Sequence, residues 1–454
     1  MGPAPFADAS GELLCWLTGA ALVGLVLYGW RLSRLQGENS WLSPAYLVMA
    51  LFCFRYGWGA LVAYYWGFMQ WEAHPELRTY FLHGRVWEHL SPACRLILLA
   101  GFGFAIGLSL RGPGLSAVLP RPRWPVDPAR LRTFIFVFGP AVQIGGWLIS
   151  NFDIPKTFAY PFQIVASLGN GMILLGTYYI FQRRGAARLQ WLFFVVLTYA
   201  LSVPASLLTG QMAPLLMPFL MMACGYTLAR ETAPWVAVAI AVPLLFYIVL
   251  PFTAYYKFTG INTPTERTTI DQRLWGAGEA YSNASSRAKL EIAFSRSLAR
   301  FSGLPFPATF VQYFPDAYPF EGGRSFLLEL SGLIPRFLWP DKPEVSVELN
   351  HYSEKVGLIP VGATTSTVFD GVSEYYVNFG DVGVFVMSIV NGWYLGALHR
   401  WLVREGHYVV GSAIFIPMLL DNWDFFGVVN IASTHFRVLP VWILVYYLMS
   451  RKAV

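Results

Sequence analysis

The feature that most constrains the fold is a series of apolar stretches long enough to cross a lipid bilayer. Residues 233–253, which read APWVAVAIAVPLLFYIVLPFT, contain no charged side chain. A helix needs about 20 mostly apolar residues to span the hydrocarbon core. Charged residues make up only 13% of the chain, about half the share that is usual in soluble domains. The sequence therefore predicts an all-α polytopic membrane protein.

Hydropathy windows of about 19 residues place about eleven spans along the chain. They are 11–30, 43–68, 92–110, 132–151, 162–181, 189–208, 212–229, 233–253, 382–399, 408–422 and 437–450. These spans divide the chain into three predicted parts. A bundle of about eight spans occupies 1–253, one large polar loop with short helices occupies 254–381, and about three spans occupy 382–454.

The distribution of lysine and arginine predicts how the chain is oriented. One set of short loops holds fifteen of these residues, and the opposite set holds five. Because short cytoplasmic loops carry an excess of Lys and Arg, the first set is predicted to be cytoplasmic. The N-terminus is then outside, the C-terminus is cytoplasmic, and the 254–381 loop is extracytoplasmic. No positively charged leader precedes the first apolar run, which is therefore expected to remain as a helix.

Several other classes of protein are not indicated. No run of five basic residues is present, so binding to nucleic acid is not expected. The four cysteines fall within apolar stretches without CxxC spacing, so neither a disulfide framework nor a metal site is predicted. The glycines of GFGFAIG, 101–107, lie within a predicted span, where small residues let helices approach closely. The cytoplasmic loops carry no nucleotide-binding pattern, and no cofactor is predicted.

Arg55 is the most informative charge within a predicted span. A cation near the middle of the bilayer costs about 2.5–3.5 kcal/mol on insertion scales. Arg55 is therefore expected to face the interior of the bundle and to meet an anion. That anion is either a ligand group such as a phosphate or an internal partner such as Asp421 or Asp424. The sequence leaves both alternatives open.

The stretch IPRFLWPDKP, 334–343, carries further cations in the predicted outer loop. Its three prolines restrict the backbone around Arg336 and Lys342, and Arg324 precedes Arg336 by twelve residues. A rigid loop holds cations at low entropic cost, which suits a site that grips phosphate. The alternative is a structural elbow whose charges pair with one another, and such surface pairs contribute little stability. Trp339 is suited to the membrane interface, where its ring is half wet.

Two side chains of the same loop are candidates for a general base. Glu374 lies in GVSEYYVNFGDVG, 371–383, just before the predicted ninth span. Its aromatic neighbours would partly shield it from water, and such a carboxylate can accept a proton from a hydroxyl. The alternative is that Glu374 pairs with an arginine. His351 is the second candidate and is less constrained by its surroundings.

Three motifs together resemble a known family. They are FRYGWG in the second span, IPRFLWPDKP, and GVSEYYVNFGDVG about thirty residues later. They are similar to parts of the oligosaccharide repeat-unit polymerases, bacterial inner-membrane glycosyltransferases related to the O-antigen polymerases. The resemblance covers the pattern of spans and about 60 residues of motif, mostly 324–383.

The resemblance implies an enzyme that polymerises undecaprenyl-diphosphate-linked oligosaccharides into a surface polysaccharide or exopolysaccharide at the outer leaflet, without a metal. A sugar hydroxyl of one unit would attack the anomeric carbon of the other chain and expel the lipid diphosphate. It implies a catalytic base at Glu374 or His351, diphosphate binding by Arg55, Arg324, Arg336 and Lys342, and sugar contacts from Trp339, Tyr375, Tyr376 and Asn378.

Two other functions remain open at this point. An O-antigen-ligase-like enzyme would use the same donor with a different acceptor. A transporter or flippase for a lipid-linked glycan would spread polar residues along a path through several spans and would often show internal duplication. The partners that the resemblance implies are the lipid-linked oligosaccharide, membrane lipid, a chain-length regulator and a glycan flippase.

Overall fold

The structure is a computed structural model of the chain. It describes residues 9–38, 41–57, 89–110, 115, 119, 127–151, 168–209, 213–258, 270–301, 303–331, 334, 338–339, 341–343, 345–358, 370–421, 427, 435–436 and 438–445. All the regular secondary structure within these residues is helical. The predicted all-α class is therefore confirmed.

Sixteen α-helices are found in the part of the chain that the structure describes. They are α1 (Ala9–Leu35), α2 (Pro44–Phe52), α3 (Leu90–Ser109), α4 (Pro128–Asn151), α5 (Leu168–Gln182), α6 (Ala186–Thr209), α7 (Ala213–Arg230), α8 (Trp235–Leu244), α9 (Leu250–Phe258), α10 (Ile270–Asn283), α11 (Ser286–Phe301), α12 (Pro305–Tyr313), α13 (Arg324–Ser331), α14 (Val345–Lys355), α15 (Gly371–His399) and α16 (Tyr408–Asp421). Short π-helical turns continue α2, α8 and α15 over Cys53–Gly57, Leu245–Val249 and Arg400–Arg404.

Four helical segments within the described ranges are long and apolar enough to cross a membrane. They are Leu13–Leu35, Leu90–Ser109, Trp235–Tyr256 and Gly371–Arg404. Shorter apolar helices cover Ala186–Leu201 and Tyr408–Leu420. Within the residues that the structure describes, the protein is thus all-helical with four candidate membrane spans, a smaller number than the eleven predicted from hydropathy over the whole chain.

The chain divides into two compact units, each assembled from separate stretches of sequence. Unit 1 comprises 1–119, 298–400 and 418–437, and unit 2 comprises 120–297, 401–417 and 438–454. In unit 2, α5 packs against both α6 and α7. The ring of Tyr179 on α5 stacks on that of Trp191 on α6, with centroids 4.8 Å apart. Every described side chain of α8 is at least partly exposed, which suits an apolar helix that borders lipid.

Unit 1 is built on the contact between α3 and α15. A Cβ added to Gly107 would lie 2.7 Å from the backbone nitrogen of Trp393, and one added to Gly392 would lie 2.6 Å from the carbonyl oxygen of Phe104. No side chain fits at such distances, so the two backbones touch directly. The role predicted for the glycines of 101–107, close approach between helices, is confirmed.

The beginning of α15 carries Glu374, Tyr375, Tyr376 and Asn378, four of the candidate site residues. Asp370 is its N-cap, and the Asp370 carboxylate accepts a hydrogen bond of 2.9 Å from the backbone nitrogen of Ser373. The helix is kinked at Gly380, whose φ of 64° glycine adopts without steric cost. The first two turns, which carry Glu374, are thereby set apart from the longer apolar part of the helix.

Candidate functional site

Buried polar side chains gather around the first two turns of α15. Asp370, Glu374 and Asn378 are all buried, although each has polar atoms that need partners. A buried polar group without a partner costs about 1–3 kcal/mol. Their neighbours come from two other parts of unit 1, the end of α2 and helix α13. We call the whole group the acidic cluster, which consists of Arg55, Tyr56, Ser325, Glu329, Asp370, Glu374 and Asn378.

A hydrogen-bond network fixes one oxygen of the Glu374 carboxylate. The hydroxyl of Ser325 donates to Oε1 of Glu374 over 3.2 Å. Nδ2 of Asn378 donates to the Ser325 hydroxyl and to the Glu374 carbonyl oxygen, over 2.8 Å in each case. The backbone nitrogen of Gly323 donates to Oδ1 of Asn378 over 2.9 Å. The start of α13 is thereby tied to the first turns of α15.

Gly427 covers the other oxygen of the same carboxylate. This glycine is buried, and a Cβ added to it would lie 2.6 Å from Oε2 of Glu374 and 3.6 Å from Cα of Gly371. Any side chain at position 427 would therefore displace the carboxylate. The Glu374 carboxylate therefore lies between the Ser325 hydroxyl and the backbone of Gly427.

Arg55 has an acidic neighbour within the protein. It is only 3% exposed and lies close enough to Asp370 for their charges to interact. The adjacent hydroxyl of Tyr56 donates a short hydrogen bond to Oδ2 of Asp370. The guanidinium carbon of Arg55 also lies 5.8 Å from the ring centroid of Phe306. These contacts support the alternative that Arg55 pairs with an acidic residue of the protein itself. The partner is Asp370, which was not among the partners predicted from the sequence.

The surroundings of Asp370 have opposing effects on the pKa of its carboxyl group. Burial, the larger influence, raises the pKa of this carboxyl above its usual value. The nearby Arg55 charge and the hydrogen bonds from Ser373 and Tyr56 act to lower the pKa. Asp370 therefore combines a capping role with an electrostatic one. An aspartate directly before an apolar helix is a recognised N-cap signal, and this signal could have identified it from the sequence.

Glu329 adds a third carboxylate. It lies on α13 one turn after Ser325, is 5% exposed, and is close enough to Glu374 for their charges to interact. It was not predicted as a site residue. The available signal was a single acidic residue within the otherwise apolar run FLLELSGLI, 326–334.

The other cations predicted to bind a diphosphate occupy different environments. Arg324 is exposed at the start of α13, directly before Ser325. Nζ of Lys342 donates a hydrogen bond of 2.6 Å to the carbonyl oxygen of Ile334, which follows α13 in the chain. Arg336 lies outside the described residues. Trp339 is partly exposed and close to Lys342 in sequence.

The remaining candidates are divided between the cluster and other positions. His351 is exposed on α14, where its Nδ1 lies 2.9 Å from Oε2 of Glu354. Tyr376 is buried, and its hydroxyl donates to the carbonyl oxygen of Phe314 over 2.8 Å. Tyr375 is fully buried and accepts a hydrogen bond of 3.2 Å from Asn391. Of the predicted residues, the structure brings Glu374, Asn378 and Arg55 into one cluster, and it gives the two tyrosines packing roles beside it.

Comparison with known proteins identifies a family whose function is unknown. A family model described as "Domain of unknown function (DUF8712)" matches residues 36–423. No curated protein and no solved structure matches the chain. The matched region includes every member of the acidic cluster. Among the described residues, no group of three or more His, Cys, Asp or Glu side chains is arranged to hold a metal ion.

Proposed function

Because the chain belongs to this family of unknown function (DUF8712), we propose its activity from the site: a membrane glycosyltransferase that polymerises lipid-linked oligosaccharides. The donor and acceptor are undecaprenyl-diphosphate-linked repeat units, and the product is a surface polysaccharide or exopolysaccharide. The proposal extends the resemblance of FRYGWG, IPRFLWPDKP and GVSEYYVNFGDVG to the oligosaccharide repeat-unit polymerases. The location is the bacterial inner membrane.

The proposed topology has about eleven spans, with 254–381 on the extracytoplasmic side. Its support is the excess of Lys and Arg in the opposite set of loops, which are then cytoplasmic. The four candidate spans are compatible with this arrangement. In it, the acidic cluster lies at the outer end of α15, where a lipid-linked sugar would be met.

The observation that carries the proposal is the Glu374 carboxylate. It is buried at the start of a candidate span, oriented by Ser325 and covered by Gly427. A carboxylate that is positioned in this way suits proton transfer from a bound hydroxyl, because a general base must be held within hydrogen-bonding reach of the proton it removes. A base must be held in place by supporting residues, as Asn378 and Ser325 do here.

In the proposed reaction, Glu374 accepts the proton of the acceptor hydroxyl while that oxygen bonds to the anomeric carbon of the donor. The bond from the anomeric carbon to the phosphate oxygen breaks, and the polyprenyl diphosphate leaves with the electron pair. Cations stabilise the charge that develops on the leaving group. Arg324 supports this role best among the described cations because it is exposed beside Ser325, and Arg336 and Lys342 lie in the following stretch.

In this scheme Arg55 does not bind the diphosphate, which is the role that the resemblance implied for it. Its burial beside Asp370 favours a structural role in which it balances the carboxylate and fixes the shape of the cluster. His351 is the weaker of the two candidate bases because it is exposed and paired with Glu354. Trp339 offers a partly exposed ring for contact with a sugar, and Asn378 acts by holding Ser325.

The proposal is tested by reconstituting the purified protein in liposomes that contain a lipid-linked oligosaccharide and measuring the length of the glycan. We expect the wild type to lengthen the glycan and Glu374→Gln to be slower by about 10²-fold or more, the range typical of a lost general base. Glu279→Gln is the matched control, because Glu279 is an exposed carboxylate on α10. An unchanged rate in Glu374→Gln would contradict the assignment of the base.

Transport is the second candidate, and one feature favours it. Carboxylates buried near a membrane also form proton relays in transporters, and the cluster contains three of them beside one arginine. In the same liposomes, redistribution of the glycan between leaflets without lengthening would replace the proposal with transport. Transfer only after addition of a lipid A core acceptor would instead indicate a ligase.

A further inference from the structure

Helix α13 has the reverse of the usual pattern of burial. Its buried residues are polar, with Ser325 fully buried and Glu329 only 5% exposed. Apart from Arg324 at its first position, its exposed residues are leucines, with Leu327 71% and Leu330 45% exposed. A helix on the surface of a water-soluble protein buries its apolar stripe and exposes its charges. The outward face of α13 is therefore unsuited to water, whereas its inward face belongs to the acidic cluster.

The apolar surface extends beyond the end of the helix. Leu338 and Trp339, which follow α13 in the chain, are 67% and 41% exposed. The chain at this point is held by Lys342, whose ammonium group donates to the carbonyl oxygen of Ile334. The ammonium group is thus hydrogen-bonded to backbone, and the exposed side chains described in this stretch are the apolar Ile334, Leu338 and Trp339 together with Asp341. We call Leu327, Leu330 and Leu338 the leucine face, and Trp339 lies at its edge.

The leucine face is continuous with the exposed surface of a candidate membrane span. The ring of Phe326 on α13 lies 5.9 Å from that of Phe379 on α15. Phe379 is exposed, and so are Val382 and Val386 further along α15. α15 lies within Gly371–Arg404, one of the segments able to cross a membrane. Hydrocarbon that borders these valines would therefore also reach α13.

A charged pair marks the depth at which α13 lies. Nη2 of Arg95 on α3 and Oδ2 of Asp381 on α15 are 3.1 Å apart, and both side chains are substantially exposed. An exposed ion pair is not stable in hydrocarbon, so it belongs at the boundary with water. Asp381 is next to Val382 in sequence and two residues after Phe379. A partly exposed tryptophan such as Trp339 is also typical of this boundary.

From these observations we propose that α13 is an interfacial membrane helix, with its leucine face inserted among the acyl chains of one leaflet. Its polar face meanwhile supplies Ser325 and Glu329 to the acidic cluster. The occupant of the leucine face is lipid hydrocarbon, because the same surface continues onto a candidate span. This inference concerns the position of the helix and does not depend on the enzymatic assignment.

The test is a spin-label measurement on the full-length protein in phospholipid nanodiscs. A nitroxide is attached to Leu327→Cys or Leu330→Cys, and collision with oxygen, which concentrates in hydrocarbon, is compared with collision with a water-soluble nickel chelate. Val386→Cys on α15 is the hydrocarbon reference, and His351→Cys on α14 is the exposed polar reference. Protein with only its four native cysteines gives the background.

We expect labels at positions 327 and 330 to favour oxygen over the nickel chelate, as the label at 386 does, and the label at 351 to show the opposite preference. Access to the nickel chelate at 327 and 330 equal to that at 351 would overturn the proposal. Labels shielded from both reagents, with dipolar broadening between them, would overturn it in favour of a contact between two copies of the chain. A water-like signal at 386 would overturn it as well, since α15 would then not border lipid.

Discussion

Hydrogen bonds hold Glu374 and Asp370 in place within the acidic cluster. The Ser325 hydroxyl is central to this arrangement because it donates to Glu374 and accepts from Asn378. It also connects two elements, since Ser325 lies on α13 and its partners lie on α15. Loss of one hydroxyl should therefore affect both the position of the carboxylate and the attachment of α13.

Ser325→Ala tests this dependence. The substitution leaves Oε1 of Glu374 and Nδ2 of Asn378 each without one partner, and unsatisfied buried groups cost about 1–3 kcal/mol. We expect the free energy of unfolding to fall by about this amount, measured by denaturant unfolding in detergent. Ser282→Ala is the control, because Ser282 is exposed on α10. Equal stabilities for the two variants would show that the network contributes little.

The burial of His435 makes the folding stability of the protein depend on pH in a predictable way. Its ring is 1% exposed, and its Nδ1 lies 3.0 Å from the Tyr394 hydroxyl. Burial lowers the pKa of His435 to about 3, against an ordinary value of about 6.5. Between these two values the unfolded chain binds a proton that the native protein does not. Folding stability is therefore lost as the pH falls below about 6.5.

The predicted contribution is about 1.4 kcal/mol of stability lost for each pH unit below 6.5. His435→Gln should show a shallower loss of thermal stability between pH 6 and pH 4, although Gln also changes the contact with Tyr394. Some slope should remain, because burial also lowers the pKa of His407. Ser282→Ala, an exposed control that removes no titratable group, should keep the wild-type slope. An unchanged slope in His435→Gln would mean that the native structure does not lower the pKa of this histidine.

At the scale of helices, the glycines of α3 and α15 decide how unit 1 packs. Gly107 and Gly392 bring the two backbones into direct contact, and small residues at such crossings are a common means of close packing in membranes. The same close contact fixes α15, whose first two turns carry Glu374. The kink at Gly380 then lets those turns follow a different direction from the apolar part of the helix.

Gly107→Ala tests the packing of α3 on α15. Its new Cβ would lie 2.7 Å from the backbone nitrogen of Trp393, so the helices would have to separate. Overpacking of this kind costs about 1–3 kcal/mol, and we expect a lower midpoint of thermal unfolding. Gly24→Ala on α1 is the matched control, because nothing lies within 4 Å of a Cβ added there. A destabilisation no larger than that of the control would contradict the proposed contact.

At the scale of the whole molecule, units assembled from separate stretches explain how the acidic cluster forms. All of its members belong to unit 1, which joins 1–119 to 298–400 and 418–437. Arg55 and Tyr56 come from the first stretch, whereas Ser325 and Glu374 come from the second. The division into 1–253, 254–381 and 382–454 follows the predicted membrane topology and stays a prediction.

The sequence by itself determined the properties that depend on neighbouring residues along the chain. Long apolar runs with few charges gave an all-helical, membrane-compatible protein, and glycines spaced within one helix indicated a close crossing. Arg55 and Glu374 were also identifiable, because an isolated charge in apolar surroundings needs a partner.

Only the tertiary structure decided which partners those residues have. Asp370 and Tyr56 are 314 positions apart yet share a hydrogen bond, and no local periodicity encodes such a contact. The reversed burial of α13 has the same origin. The run FLLELSGLI has the composition of a helix that buries its leucines, but the hydrogen bonds of the preceding Ser325 with Glu374 and Asn378 hold the polar side of α13 against α15. Leu327 and Leu330 lie away from this contact and face outward.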